Sequence, residues 1–199
     1  MGVKKVKLKS ILKETGISSG YSFRKKIDDD KNGNIKVIQL KDLINDYTVI
    51  DNTCFKVSSK KINSKYILID GDVLFISKGY NNKAITFSSD KYPGNYMASS
   101  ALFVISMDKT VANPRYISWY INQSRIQNFI KQNTSGTYTP TVNRKVVENI
   151  PLKLPDLEKQ NRIAQLAQLT VKEKFLQQKI QNKREMLVNA QLLKFINQK

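Results

Sequence analysis

The residues able to do chemistry form a short set, and what is missing from it decides as much as what is present. The sequence holds no histidine and a single cysteine, Cys54. Ser-His and Cys-His nucleophile pairs are thereby excluded, and so is an ordinary zinc site, which draws on both residue types. Carboxylates alone can hold magnesium, and two groups have the spacing to attempt it. Asp70 and Asp72 flank Gly71 between two apolar runs, and Pro155-Asp156-Leu157-Glu158-Lys159 crowds the letters of a nuclease motif into one short stretch. Simpler chemistry accounts for both. Asp70-Gly71 has hairpin-turn composition, and acids at a helix start complement its dipole.

Asn113-Pro114-Arg115-Tyr116 approaches the Asn-Pro-Pro-Tyr loop of amino-methyltransferases, but it lacks the second proline and no Gly-rich cofactor loop lies upstream. Asn113 as an N-cap with Pro114 in the first helical position explains these letters. Cys54 reads as a buried small hydrophobe. A lone cysteine makes no internal disulfide and suits a reducing cytoplasm. The expectation is a chain with no catalytic residue, no metal ligand and no cofactor of its own.

The chemistry that remains is charge. Lys and Arg number 34 against 16 Asp and Glu, a formal net charge of +18 over 199 residues. So large a charge makes the compact state repel itself and points to an external anion. Duplex nucleic acid, with its dense row of phosphates, comes first. An anionic membrane surface, an acidic protein and plain solubility are the other readings. No apolar run is long enough to span a bilayer, and the N-terminus has no signal-peptide pattern.

Three stretches are candidates for touching DNA. Arg24, Lys25 and Lys26 form the densest cationic cluster before the final helix. Arg24 suits guanine in bidentate fashion, and the lysines suit phosphate. The loop Lys78, Gly79, Tyr80, Asn81, Asn82, Lys83 combines cations, an aromatic, two amides and a glycine. Asn reads adenine in bidentate fashion, and glycine lets backbone approach closely. Thr137 and Tyr138, beside Gly136, make a third and weaker candidate. Lys172, Lys174, Lys179 and Arg184 are assigned instead to a solvated helix surface or a protein-docking face.

The elements that must position these residues divide near Pro155. Before it, short β-like runs alternate with turns. Strands are expected over 35–43 and 48–57 around the break Asn45-Asp46, and over 84–87 and 101–106. Tyr66–Ile69 and Asp72–Ser77 read as a hairpin pair or one bent strand. A helix over 114–132 packs on the sheet through Ile117, Tyr120 and Ile121, widened by Trp119, Ile126, Phe129 and Ile130. The stretch 133–140 is a surface loop, and Ile150–Leu154 is an edge strand closed by Pro155. From Asp156 onward there is neither proline nor glycine, which predicts one long helix of roughly 60 Å at 1.5 Å per residue. The fold class is α+β: a mixed target-binding domain over 1–155 with a small twisted sheet, and a single coiled-coil helix over 156–199.

That helix carries a seam. Leu166, Leu169, Leu176, Ile180 and Leu187 fit a heptad, and the same register places Glu173, Lys183 and Ala190 in it. In an antiparallel pair centred between Leu176 and Ile180, these two residues face each other and Leu169 faces Leu187. Glu173 then faces Lys183 and Leu166 faces Ala190. A parallel pair sets Glu173 against Glu173 and Lys183 against Lys183, so charge rewards one orientation and penalises the other. An antiparallel homodimer is therefore expected.

Four motifs in order resemble one half of a type I restriction-modification specificity subunit. They are Ser19-Gly20-Tyr21-Ser22-Phe23-Arg24 with Asn34-Ile35-Lys36-Val37-Ile38-Gln39, the run Gly71-Asp72-Val73-Leu74-Phe75-Ile76-Ser77-Lys78-Gly79, Ser135-Gly136-Thr137 before Ile150-Pro151-Leu152-Lys153-Leu154-Pro155, and the start of the long helix. The last departs slightly, with Lys159 either inserted between the Glu and Gln of the family pattern or standing where its Glu would be. Those subunits repeat a recognition domain and a long helix twice, and one unit is present here. The resemblance implies a half subunit that dimerises, or a truncated product. It further implies double-stranded DNA as partner, an interrupted palindromic site, and modification (methyltransferase) subunits gripping the helices, with restriction subunits joining in some assemblies. S-adenosylmethionine, ATP and magnesium then belong to those partners. The competing readings are a general nucleic-acid binder, a nuclease, and a phage or plasmid decoy half subunit that blocks or redirects a methyltransferase.

Overall fold

The computed structural model describes residues 2–44, 49–58, 62–134 and 140–197. In chain order the strands and helices are β1 (Lys4–Lys7), β2 (Leu12–Ser19), β3 (Ile35–Ile38), β4 (Leu43–Ile44), β5 (Val49–Ile50), β6 (Phe55–Val57), β7 (Val73–Ile76), β8 (Ala84–Thr86), β9 (Asn95–Ala98), β10 (Leu102–Met107), α1 (Pro114–Ile121), α2 (Ser124–Gln132), α3 (Arg144–Glu148), β11 (Pro151–Leu154) and α4 (Leu157–Asn197). The class is α+β, with several small sheets where the sequence suggests one.

The molecule is organised about β7. Its residues Val73, Leu74, Phe75 and Ile76 are all buried, because the strand is interior to a four-stranded sheet of order β2-β10-β7-β8 and is covered on both faces. Alternation along a strand sends successive side chains to opposite faces. Val73 and Phe75 join a core with Ile117, Ile121, Ile126 and Ile130 of α1 and α2. Leu74 and Ile76 join a second core with Ile38 of β3 and Tyr96 and Ala98 of β9. The second sheet, β6-β3-β9, is mixed: β3 runs antiparallel to β6 and parallel to β9. Its outer face, Ile35, Val37 and Met97, lies under Tyr21, Phe23, Ile27 and Tyr66.

Local side-chain chemistry cuts the expected elements shorter. The 35–43 strand stops at Ile38 because Asp42 accepts a hydrogen bond from the Gln39 amide at 2.8 Å and closes a 3-10 turn. The 48–57 strand is interrupted where Asp51 accepts from the Thr53 amide at 3.1 Å; the break Asn45-Asp46 and Thr48 lie outside the described residues. The 66–69 and 72–77 runs form neither a hairpin nor one strand. Leu68 donates to the Tyr96 carbonyl at 2.8 Å and so belongs with the second sheet, while β7 belongs to the first. Between them Gly71 sits at φ +85°, and buried Asp72 accepts from the Ile69 amide and the Ser106 hydroxyl at 2.9 and 2.7 Å. Burial pushes the Asp72 carboxyl above its ordinary pKa.

The expected helix over 114–132 is two helices. Asn122 ends α1, and its amide group both accepts from the Ala84 N–H and donates to the Ala84 carbonyl, each at 2.8 Å. A side chain tied to β8 in this way fixes a turn at the helix end, and α2 starts afresh after Gln123. Cys54 is buried with its thiol donating to the Asp51 carbonyl, and burial pushes its pKa up to about 12.

One buried amide joins the domain to the long helix. Gln160, 0% exposed, accepts from the Asn113 N–H at 2.8 Å and donates to the Pro155 and Val111 carbonyls at 2.8 and 3.2 Å. Asn113 caps α1 through the amides of Arg115 and Tyr116, and also donates to Asn161 of α4 at 2.7 Å. Asp156 caps α4 by accepting from the Lys159 amide at 2.9 Å. Beyond Ala167 every side chain through Ile196 is exposed, so α4 runs on for about 40 Å with no intramolecular support.

Candidate nucleic-acid interface

The two cationic stretches leave the four-stranded sheet at the same end. β2 finishes at Ser19 opposite Phe103, and β7 finishes at Ile76 opposite Leu102. β8 begins at Ala84 opposite Phe75. The chain therefore departs toward Arg24 and toward Lys78 from neighbouring positions. The other end of the sheet, where Met107 pairs Leu12, leads into the 108–113 segment that holds Gln160. The candidate loops and the long helix are thus mounted at opposite ends of one rigid sheet.

The first loop is held by aromatic packing. Gly20 donates to the Leu102 carbonyl at 2.9 Å and Tyr21 to the Ala98 carbonyl at 2.8 Å. Glycine is required at position 20 by close approach, since a Cβ there would stand 2.2 Å from the Ser99 carbonyl oxygen. Tyr21 then meets Phe23 and Tyr66 edge to face, with centroids 4.7 and 5.0 Å apart. Phe23 and Ile27 pack on the second sheet, and Arg24, Lys25 and Lys26 are exposed between these two anchors. The following carboxylates serve the backbone: Asp29 accepts from the Lys56 amide at 2.8 Å and Asp30 from the Asn32 amide at 3.0 Å.

The second loop, 78–83, is shaped from inside by one of its own residues. Asn82 is 6% exposed, and its amide donates to the Ile76 and Gly79 carbonyls at 3.0 and 3.3 Å. Its assignment as a base reader is therefore corrected: its reading group is turned inward to hold the loop. Gly79 adopts φ +94°, with open space where a Cβ would project. Tyr80 is 77% exposed, and Lys78 and Asn81 are exposed beside it, with Lys83 half-buried. Gly79 donates to the Pro140 carbonyl at 2.9 Å, and Lys78 bridges Thr141. The strand-like segment entering at Pro140 thus lies against this loop. Thr137 and Tyr138 lie outside the described residues.

The carboxylates weighed for metal chemistry have other tasks. Asp70 accepts from Lys109 at 3.1 Å, which holds its pKa below the usual carboxylate range, while Asp72 is turned into the protein. Asp156 caps α4, and Glu158 pairs with Arg162 one turn on. Among the described residues no three His, Cys, Asp or Glu side chains gather as a metal site. No helix among them is long and apolar enough to cross a membrane. The expected dimer seam is exposed along its apolar length: Leu166, Leu169, Leu176, Ile180 and Leu187 are each 46–65% exposed.

Comparison with known proteins agrees in fold and family. The family model described as the type I restriction modification DNA specificity domain matches residues 1–183. The type I restriction enzyme MjaVIII specificity subunit of Methanocaldococcus jannaschii is 28% identical over 107 residues, covering 53% of this chain and 24% of that protein. The HsdS subunit of Thermoanaerobacter tengcongensis superimposes with a TM-score of 0.62 at 19% identity, covering 94% of this chain and 47% of the other. The S subunit of M. genitalium does so with a TM-score of 0.54 at 13% identity, covering 84% and 38%. The chain therefore spans less than half the length of each of these relatives.

Proposed function

The chain belongs to the type I restriction-modification DNA specificity family, and on that premise we propose that it reads double-stranded DNA by sequence, as a homodimer, for methyltransferase subunits that carry the chemistry. The observation that carries this reading is the mounting of two cationic loops at one end of a rigid sheet and an unsupported apolar-seamed helix at the other. Arg24 and Asn81 are the residues suited to base edges. Lys25, Lys26, Lys78 and Lys83 suit phosphate, and Tyr80 suits a sugar or base face. Asn82 and Gly79 set the loop's shape.

The helix supplies the geometry of the site. Pairing antiparallel about the midpoint between Leu176 and Ile180 buries the exposed leucines and sets Glu173 against Lys183 of the second copy. The two helix starts then stand about 63 Å apart at 1.5 Å per residue, near two turns of B-DNA. Two copies of one domain related by a two-fold axis read an interrupted palindrome. The exposed lysines on the outer helix faces suit docking of the methyltransferase.

Selection from a randomised duplex library tests this, using the full chain with and without a methyltransferase subunit at near-physiological salt. Enrichment of an interrupted palindrome is the expected result. Enrichment of an asymmetric motif would keep the reading role and overturn the homodimer. Salt-sensitive binding with no motif would leave a general nucleic-acid binder.

A further inference from the structure

A second cationic surface lies beside the reading loops and has no part in the account above. β1 and β11 form a two-stranded antiparallel ribbon in which Lys5 stands opposite Lys153 and Lys7 opposite Pro151. The alternate pair, Val6 and Leu152, packs into the core. Alternation therefore puts Lys5, Lys7 and Lys153 on the outer face. Together with Tyr120 of α1 and Arg125 of α2 they line one open groove.

The groove is electrostatically unsatisfied. Like charges directly opposite each other on an antiparallel pair are destabilising, and Lys5 and Lys153 are so placed. Among the described residues, the ion pairs are Lys109–Asp70, Arg144–Glu148, Lys159–Asp156 and Arg162–Glu158, so none of the four groove cations meets a carboxylate. Lys7 donates to the neutral amide oxygen of Asn149 at 3.0 Å. Four cations assembled against their own repulsion call for an anion from outside the chain.

We propose that this groove binds the phosphate backbone of the DNA duplex flanking the stretch read by the loops; the proposal rests on the DNA-reading role argued above. Position favours DNA over an acidic protein as the occupant. The groove and the second loop both adjoin the start of α2, where Arg125 and Ile126 line the groove and Gln127 donates to the Asn82 carbonyl at 3.0 Å.

The test uses the full chain and measures the salt dependence of binding to the selected duplex and to a scrambled one. One variant carries Lys5→Ala, Lys7→Ala, Arg125→Ala and Lys153→Ala together. Loss of four phosphate contacts shrinks the fall in affinity between 50 and 200 mM salt by about 100-fold, on both duplexes, with the preference between them unchanged. A second variant, Lys5→Glu, replaces the opposed lysines by a cross-strand ion pair. It raises the melting temperature and weakens DNA binding, two opposite effects that a merely structural role would not combine. Salt dependence equal to the parent's in both variants would overturn the proposal, as would unchanged DNA binding with lost association to the methyltransferase subunit. Arg24→Ala abolishes sequence preference if the reading role holds. A parent with no preference between the duplexes sinks that role, while the salt slope on either duplex still judges the groove.

Discussion

The globular domain and the long helix have the same polypeptide chemistry and solve opposite problems. In the domain, β7 has cores on both faces and side chains such as Phe75, Leu74 and Tyr96 are fully buried. In α4, Leu166 through Ile196 display leucine, isoleucine and phenylalanine side chains to solvent. A fold that satisfies itself is a scaffold, whereas a helix that leaves its apolar side chains exposed offers them to a partner. The sheet can therefore hold loops at a fixed spacing, and the helix supplies the surface on which the proposed pairing rests.

Substitutions placed in each region sharpen that contrast. Phe75→Ala empties a site in the first core and costs about 3–5 kcal/mol of domain stability, read by urea unfolding. Glu173→Lys, on the exposed helix, leaves domain unfolding unchanged and weakens self-association at least tenfold by opposing like charges. Adding Lys183→Glu restores association, as read by sedimentation. A double variant no better than the single one breaks the proposed pairing.

Gln160→Ala strikes the joint between the regions. It leaves the Asn113 N–H and the Val111 and Pro155 carbonyls without their partner, a loss of about 2–3 kcal/mol. Hydrogen exchange then rises at the start of α4 before it rises in the sheet. The smallest effect is pH-dependent. Burial raises the folded-state pKa of Asp72 above its ordinary value, so the native state holds this proton more tightly than the unfolded chain. Its contribution to stability is full on the acid side and is lost as pH rises through the folded pKa. Asp72→Asn removes that dependence while losing an acceptor for Ile69 or Ser106, so its penalty is largest below the ordinary carboxylate pKa and shrinks as pH rises, as measured by unfolding across a pH series.

What could be read from the sequence follows the same division. The long helix was plain from its lack of proline and glycine, and β7 from its apolar run. The cap at Asn113 was legible because capping is local chemistry, whereas Asp156 was read only as a complement to the helix dipole and proves to cap α4. The strands β1, β2 and β9 were not: Lys4-Lys5-Val6-Lys7 hides a single core-facing valine among cations, and β2 carries Gly16 at φ +56° with a register shift opposite Ile105 and Met107. Their identity comes from partners 60 or more residues distant in the chain, such as Leu154 for Lys4, Phe103 for Ser19 and Ile35 for Asn95. The candidate loops were visible as cationic clusters, yet the inward turn of Asn82 depends on carbonyls whose positions only the fold sets. The role of Gln160 was equally hidden, since its partners lie in the 111–113 turn.

The joint built on Gln160 and Asn113 also sets a tolerance. From Leu157 to the centre of the proposed helix pair is about 32 Å at 1.5 Å per residue. A tilt of about 6° at the joint displaces the far end of such an arm by about 3.4 Å, one base-pair rise. In the proposed dimer, the three hydrogen bonds of this one buried amide thus act as a bearing: their stiffness sets whether the two domains keep their spacing to one base-pair rise or only approximately.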